Sequence, residues 1–156
     1  MYINKMIINI ILAVIIIVAA SGCGHSLPKE QNIPQGFASY EETETIRAVS
    51  SSGVMYRIKR EKNEPYAELA FWKEALKKRM LDAGYIYVKD GDIKVGKRSG
   101  YLLELAAPLG TQDFTYLIAV CLQDNKQLVI VEAAGEMVAF LEKRQTIIST
   151  IEQLEL

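Results

Sequence analysis

FTYLIAVCL, residues 114–122, is the stretch from which the fold is read. It is apolar almost throughout, so a strand of this composition has no wet face and belongs at the centre of a sheet, covered on both sides. Working outward, Asp124-Asn125-Lys126 turns the chain into a second apolar strand, Gln127–Ala134. On the other side, Pro108–Asp113 turns it back into Tyr101–Ala107. Lys97-Arg98-Ser99-Gly100 makes the next reversal, and Tyr85–Lys89 and Asp92–Val95 read as short strands joined by an Asp90-Gly91 hairpin turn. Links this short favour antiparallel neighbours, so residues 85–134 are expected to form a meander.

Helical periodicity flanks the meander. Glu64–Ala83 carries Leu69, Trp72, Leu76, Met80 and Ala83 on one stripe, which is a core face. Asn63 or Glu64 suits the cap, Pro65 the first turn and Gly84 the exit. Lys73, Lys77, Lys78 and Arg79 fall away from that stripe, as a solvated face does. Glu136–Leu154 closes the chain as a second helix with Met137, Phe140, Leu141, Ile147, Ile148, Ile151 and Leu154 inward. Arg144 falls on or beside this stripe, so it either snorkels or pairs with a buried carboxylate. Before the first helix, Thr43–Ser50 and Val54–Arg60 read as a hairpin, with Val54, Tyr56 and Ile58 on one face and Met55, Arg57 and Lys59 on the other. The expected fold is α+β: an antiparallel meander sheet with two helices packed on it.

The start of the chain has another character. Lys5 precedes an apolar run from Met6 to Ala20, and small residues then lead to Cys23. These are the parts of an export signal. Ala20-Ser21-Gly22-Cys23 resembles the lipobox of bacterial lipoproteins. That resemblance implies cleavage between Gly22 and Cys23, diacylglycerol on the thiol and a further acyl chain, such as palmitate, on the new amine. Two or three chains hold a membrane lastingly where one does not. An uncleaved helix over residues 6–20 would reach about 22 Å, short of the roughly 30 Å hydrocarbon core. Plain secretion after cleavage is the remaining alternative. The organisation is therefore read as signal peptide 1–22, lipidated N-terminus and flexible tether 23–36, and one α+β domain, 37–156. Gly24 is not the Asp that marks inner-membrane retention. The expected location is the periplasmic face of the outer membrane where the cell has one, and otherwise the outer face of the cell membrane.

The order hairpin, helix, meander, helix over residues 37–154 resembles the PsbP-like sandwich, shared by a photosystem II extrinsic subunit and many small bacterial lipoproteins. Residues 53–154 also resemble an uncharacterised bacterial lipoprotein family, through Leu69-Ala70-Phe71-Trp72 to Gly84-Tyr85, Leu103–Pro108 and Val131–Glu136. Neither resemblance implies an activity or a catalytic residue.

Composition narrows the chemistry. With 18 basic and 19 acidic residues the net charge is −1, too weak a field for a nucleic-acid binder. His25, the sole histidine, lies in the tether, so histidine triads and His-rich zinc sites lack raw material. If Cys23 is lipidated, Cys121 has no intrachain partner; it reads as a buried small hydrophobe, or more sharply as a reactive thiol. No glycine-rich phosphate loop is present, and no cofactor is expected. Carboxylates remain. Glu104 and Glu132 interrupt apolar strands, so each is exposed or paired, with Arg47, Arg57 and Arg144 as partners.

Three functions follow. The first is a non-enzymatic, membrane-tethered accessory that contacts an unknown envelope protein. The second is a tethered small-ligand binder with a pocket between helix 64–83 and the sheet, for which Trp72, Glu104, Glu132 and Arg57 are the candidate site residues and the tyrosines candidate walls. The third is a carboxylate hydrolase, which requires Glu104 and Glu132 to face one cleft.

Overall fold

The computed structural model describes residues 30–42, 45–109 and 112–156. The signal segment 1–22, the lipidation candidate Cys23 and the first part of the tether lie outside the described residues. Seven strands form one antiparallel sheet: β1 (Phe37–Glu42), β2 (Ile46–Ser50), β3 (Met55–Lys62), β4 (Ile86–Val95), β5 (Arg98–Leu109), β6 (Gln112–Leu122) and β7 (Gln127–Glu136). Their spatial order is β1-β2-β3-β7-β6-β5-β4. Two helices, α1 (Leu69–Asp82) and α2 (Met137–Glu152), complete the α+β domain. α1 carries the chain from β3 to the far edge at β4, and a four-strand meander then returns it until β7 lies beside β3.

The helices lie on opposite faces. α1 rests on β5 and β6, while α2 crosses β7, β6 and β4. This explains the composition of residues 114–122. Leu117, Ala119 and Cys121 share a core with Phe140, Ile147 and Ile151 of α2. Ile118 and Val120 belong to the other core, against which Leu69, Trp72, Leu76 and Met80 of α1 pack. Each large apolar side chain so buried contributes about 1.5–3 kcal/mol. Glu136 caps α2, its carboxylate accepting from the Val138 and Ala139 N–H groups at 3.2 Å.

Local expectations are corrected in five places. Phe37–Glu42 is an edge strand paired with β2, where the sequence pattern assigned no element between the tether and Thr43. Asp90-Gly91 is no hairpin turn: both residues stay in register with Leu103 and Leu102, and β4 runs on unbroken to Val95. The reversal falls at Gly96, where φ is +57° and a Cβ would strike the Leu154 carbonyl, so glycine is required there. α1 begins at Leu69 after Glu68, not at Glu64, because the Asn63 side chain binds the backbone of Ala67 and holds this loop out of the helix. In α2 the buried residues are Phe140, Ile147 and Ile151, whereas Met137 and Leu141 stay 42% and 59% exposed. Lastly, the tether does not extend to residue 36. Asn32 is fully buried and exchanges two hydrogen bonds with the Glu155 backbone, while Ile33 packs on the core under α2. A polar, proline-containing segment docks here through bonds to residues far along the chain, which local composition does not display.

Candidate functional site

The strand register lays out the α1 face in rows. One row runs Arg47, Arg57, Glu132, Ile118, Leu103, Asp90 across β2, β3, β7, β6, β5 and β4. The next runs Met55, Ala134, Tyr116, Leu105, Tyr87. The β5–β6 half of these rows lies beneath α1, and among the described residues no helix lies over the half on β2, β3 and β7. There an open cleft of about 210 Å³ is lined by Tyr40, Arg47, Met55, Arg57, Tyr116 and Glu132. Its floor is Ala134, a small side chain flanked by the larger Met55 and Tyr116. The volume is below the roughly 300 Å³ at which enclosing ligand pockets begin. Met55 and Tyr40 are 53% and 52% exposed, an apolar rim left to solvent.

Arg57 and Glu132, candidates from the sequence, meet in this cleft. Arg57 Nε donates to Glu132 Oε2 at 2.7 Å, and Nη2 pairs with the same oxygen. The Tyr116 hydroxyl donates to Oε1 at 2.7 Å, so both carboxylate oxygens are engaged. Burial, reinforced by that bond, raises the Tyr116 pKa well above its ordinary value and keeps the phenol protonated. For Arg57, desolvation opposes the charged form, but the bond and the charge of Glu132 outweigh it and hold the guanidinium charged. Tyr85 lies against Tyr116, ring centroids 5.4 Å apart, and closes the network on the α1 side.

The other two candidates lie elsewhere. Glu104 pairs in register with Leu117, so it points to the α2 face, opposite to Glu132. It is 4% exposed, receives Arg144 through both Nε and Nη2, and has Lys89 Nζ at 3.6 Å. The alternative reading of Arg144 as partner of a buried carboxylate is therefore the one realised. Two carboxylates on opposite faces of a sheet cannot flank one bond, which removes the pair the hydrolase reading needed. Trp72 is an anchor: its indole N–H donates to Asn63 Oδ1 at 2.7 Å, and its ring packs on the sheet. The space between α1 and the sheet, where a ligand pocket was expected, is filled by Leu69, Trp72, Leu76 and Met80. Cys121 is buried, and desolvation pushes its thiol up to about 11, so it remains protonated and unreactive at neutral pH.

A second hollow, of about 420 Å³, lies between the β4–β5 turn and the C-terminal tail and holds no candidate residue. Among the described residues no cluster of His, Cys, Asp and Glu is able to hold a metal ion, and no helix is long and apolar enough to cross a membrane. Met55 and Ala134 were not singled out as site residues. Strand alternation placed Met55 beside Arg57, but only the β3–β7 and β6–β7 pairings reveal the small floor between large walls.

No family model matches the sequence, and a search of curated proteins gives no match. Among solved structures, the chain is similar to a Pseudomonas aeruginosa protein of unknown function described as a putative regulator. The TM-score is 0.59 at 11% identity, over 77% of this chain and 96% of that one. At that identity the likeness concerns the fold alone.

Proposed function

We propose that this chain is a cell-envelope lipoprotein, held to a membrane from outside the cytoplasm by lipid on Cys23, whose domain acts as a non-enzymatic accessory by contact with an envelope protein. The observation that carries the contact reading is the strip of sheet beside α1, where β1 and β3 present Tyr40, Met55 and Arg57 with no element over them among the described residues. Exposed apolar side chains rimmed by charge favour docking, because a partner buries the former and pairs with the latter. The lipid anchor rests on the lipobox-like residues Gly22 and Cys23. Gly24 favours the outer membrane where one is present. A PsbP-like sandwich is the finer fold assignment within the same proposal, supported by the element order and by one helix on each face of the sheet.

The test places a photoreactive amino acid at Met55 in the lipidated protein, with Glu142 on the exposed side of α2 as the control site. A reproducible crosslinked protein from position 55 and none from position 142 is the expected result in native membranes. Equal or absent labelling at the two positions counts against the docking strip.

A further inference from the structure

One end of the domain is tied together by its loops, and the N-terminal segment is fastened to it. We propose that this end, which carries the β3–α1 loop and the β4–β5 and β6–β7 turns, lies on the bilayer with Tyr66 and Phe71 in the headgroup layer. The inference rests on the lipid anchor proposed above and adds the face that the anchored domain turns to its membrane.

Hydrogen bonds join the loops of this end into one rim. Asn63, in the β3–α1 loop, donates from its backbone N–H to the Lys126 carbonyl at 2.8 Å and from its side chain to the Asn125 carbonyl at 3.1 Å, which fixes the loop to the β6–β7 turn. Arg98 Nε donates to the Gln123 carbonyl at 2.9 Å and adds the β4–β5 turn. The Gly96 N–H donates to the Ile151 carbonyl at 2.9 Å and adds the end of α2. Asn32 is bonded to Glu155 just beyond. β7 runs away from this rim to Glu136, so the start of α2 lies about 30 Å from it. Cys23 precedes Asn32 by nine residues, which span at most about 30 Å. Standing the domain on its far end would pull that segment nearly straight, at a large cost in conformational entropy, whereas the rim meets the bilayer without it.

The rim also carries side chains suited to a headgroup layer. Tyr66, in the β3–α1 loop, is 71% exposed, and Phe71, in the first turn of α1, is 49% exposed. Aromatic rings favour the boundary between headgroups and acyl chains, where an apolar body is buried and a tyrosine hydroxyl stays wet. Phe71 stands edge-on against Trp72, ring centroids 5.3 Å apart, and the Trp72 indole is bonded to Asn63. The residue that joins the rim therefore also steadies the ring, and a ring held in place loses little freedom on entering a bilayer. Around these rings exposed cations such as Lys97 and Lys126 stand among exposed carboxylates such as Asp124 and Glu155, so the rim selects no headgroup charge. Met55 pairs with Ala134 near the far end of β7, so the docking strip stays clear of the bilayer and open to a protein.

The test reconstitutes the lipidated protein into phosphatidylcholine vesicles whose acyl chains carry bromine near the headgroup. Each variant has one tryptophan in a Trp72→Phe background: Tyr66→Trp on the rim, or Val138→Trp at the start of α2, where the parent side chain is 61% exposed. Bromine is expected to remove at least half of the emission at position 66 and less than a tenth at position 138. Replacing a third of the lipid by phosphatidylglycerol should leave both values unchanged. In the protein without substitutions, a photoreactive phosphatidylcholine should label the peptide holding Tyr66 and Phe71 and spare the one holding Val138 and Leu141, a reading that does not depend on how the variants fold. Equal quenching or labelling at the two ends, a stronger signal at position 138, or a requirement for phosphatidylglycerol overturns the proposal. Protein that floats with the vesicles yet is not quenched at position 66 keeps the anchor and loses only this face. Protein that does not float removes the anchor, and this inference with it.

Discussion

Asn63 donates to the carbonyls of Ala67 and Asn125 and accepts from the Ala67 N–H and the Trp72 indole, so all four of its hydrogen-bonding positions are used. This residue fastens the entry of α1 to the β6–β7 turn. Removing it strands several part-buried groups at once, and such groups cost about 1–3 kcal/mol each. Asn63→Ala is expected to lower unfolding free energy in urea by about 2–3 kcal/mol, whereas Trp72→Phe, which loses one bond and keeps most of the packing, should cost about 1 kcal/mol. Glu104 sets a harder case. Arg144→Ala would leave a nearly buried carboxylate with Lys89 alone, at 3.6 Å. Breaking a buried pair costs about 3–5 kcal/mol, and the nearby lysine places this one near 3. Arg144→Ala denaturing like the parent protein would show that Glu104 tolerates isolation. The sequence marked Glu104 and Glu132 as exposed or paired, with Arg57 and Arg144 among the possible partners. It did not mark which carboxylate met which arginine, because partners 40 and 75 positions apart meet only after strands and helix have packed.

α1 has no fully buried residue, so its attachment depends on its flank as well as its apolar stripe. Lys73 and Lys77 reach Asp92 and Asp90 on the edge strand β4. They also lie over the Tyr101 and Tyr87 rings, at 5.6 and 4.4 Å from the centroids. Asp90 accepts from Lys77, Tyr101 and Tyr87, and the bond from Lys77 is the largest cause holding its carboxyl below the ordinary range. A carboxyl depressed by folding stabilises the native state above the unfolded pKa, near 3.9, and that contribution fades as pH falls through the lower native value. The single tryptophan, Trp72, sits on α1 and reports its docking by fluorescence. Acidification below about pH 4 is expected to loosen α1 in the parent protein. Asp90→Asn should flatten that limb of the titration. An unchanged acid limb in Asp90→Asn would assign it to other carboxylates. Two of the three lysines that the helical pattern assigned to a solvated surface thus pair with the sheet, since β4 runs on through Asp90-Gly91 and brings both aspartates beside the helix.

Across the whole molecule the two ends of the domain fasten one another. Asn32 and Glu155 exchange backbone and side-chain bonds, and Ile33 and Leu156 both pack on the core beneath α2. A form beginning at residue 37 should therefore melt several degrees below one beginning at residue 30, by calorimetry on otherwise identical proteins. Equal melting would show that residues 30–36 contribute nothing. In the proposed lipoprotein, Asn32 is fastened to the folded body nine positions after the lipidated cysteine. Nine residues span at most about 30 Å, so the domain would stand close to its membrane. Cys23→Ser is expected to abolish membrane partitioning and processing together; retention of both would remove the anchor.

The sequence by itself determined the class of fold. Apolar strands with short links must pair with their neighbours, residues 117–121 admit no wet face, and each helical stripe must bury itself on a sheet. Composition also set the raw material: a single histidine, His25, and a net charge of −1. Tertiary structure decided the rest: which face each helix covers, that Glu104 and Glu132 are divided by the sheet, and that a cleft opens over Ala134. Those facts depend on how strands distant in sequence are ordered and registered. One position of register sends a side chain to the other face, and no local pattern encodes which strand lies beside which.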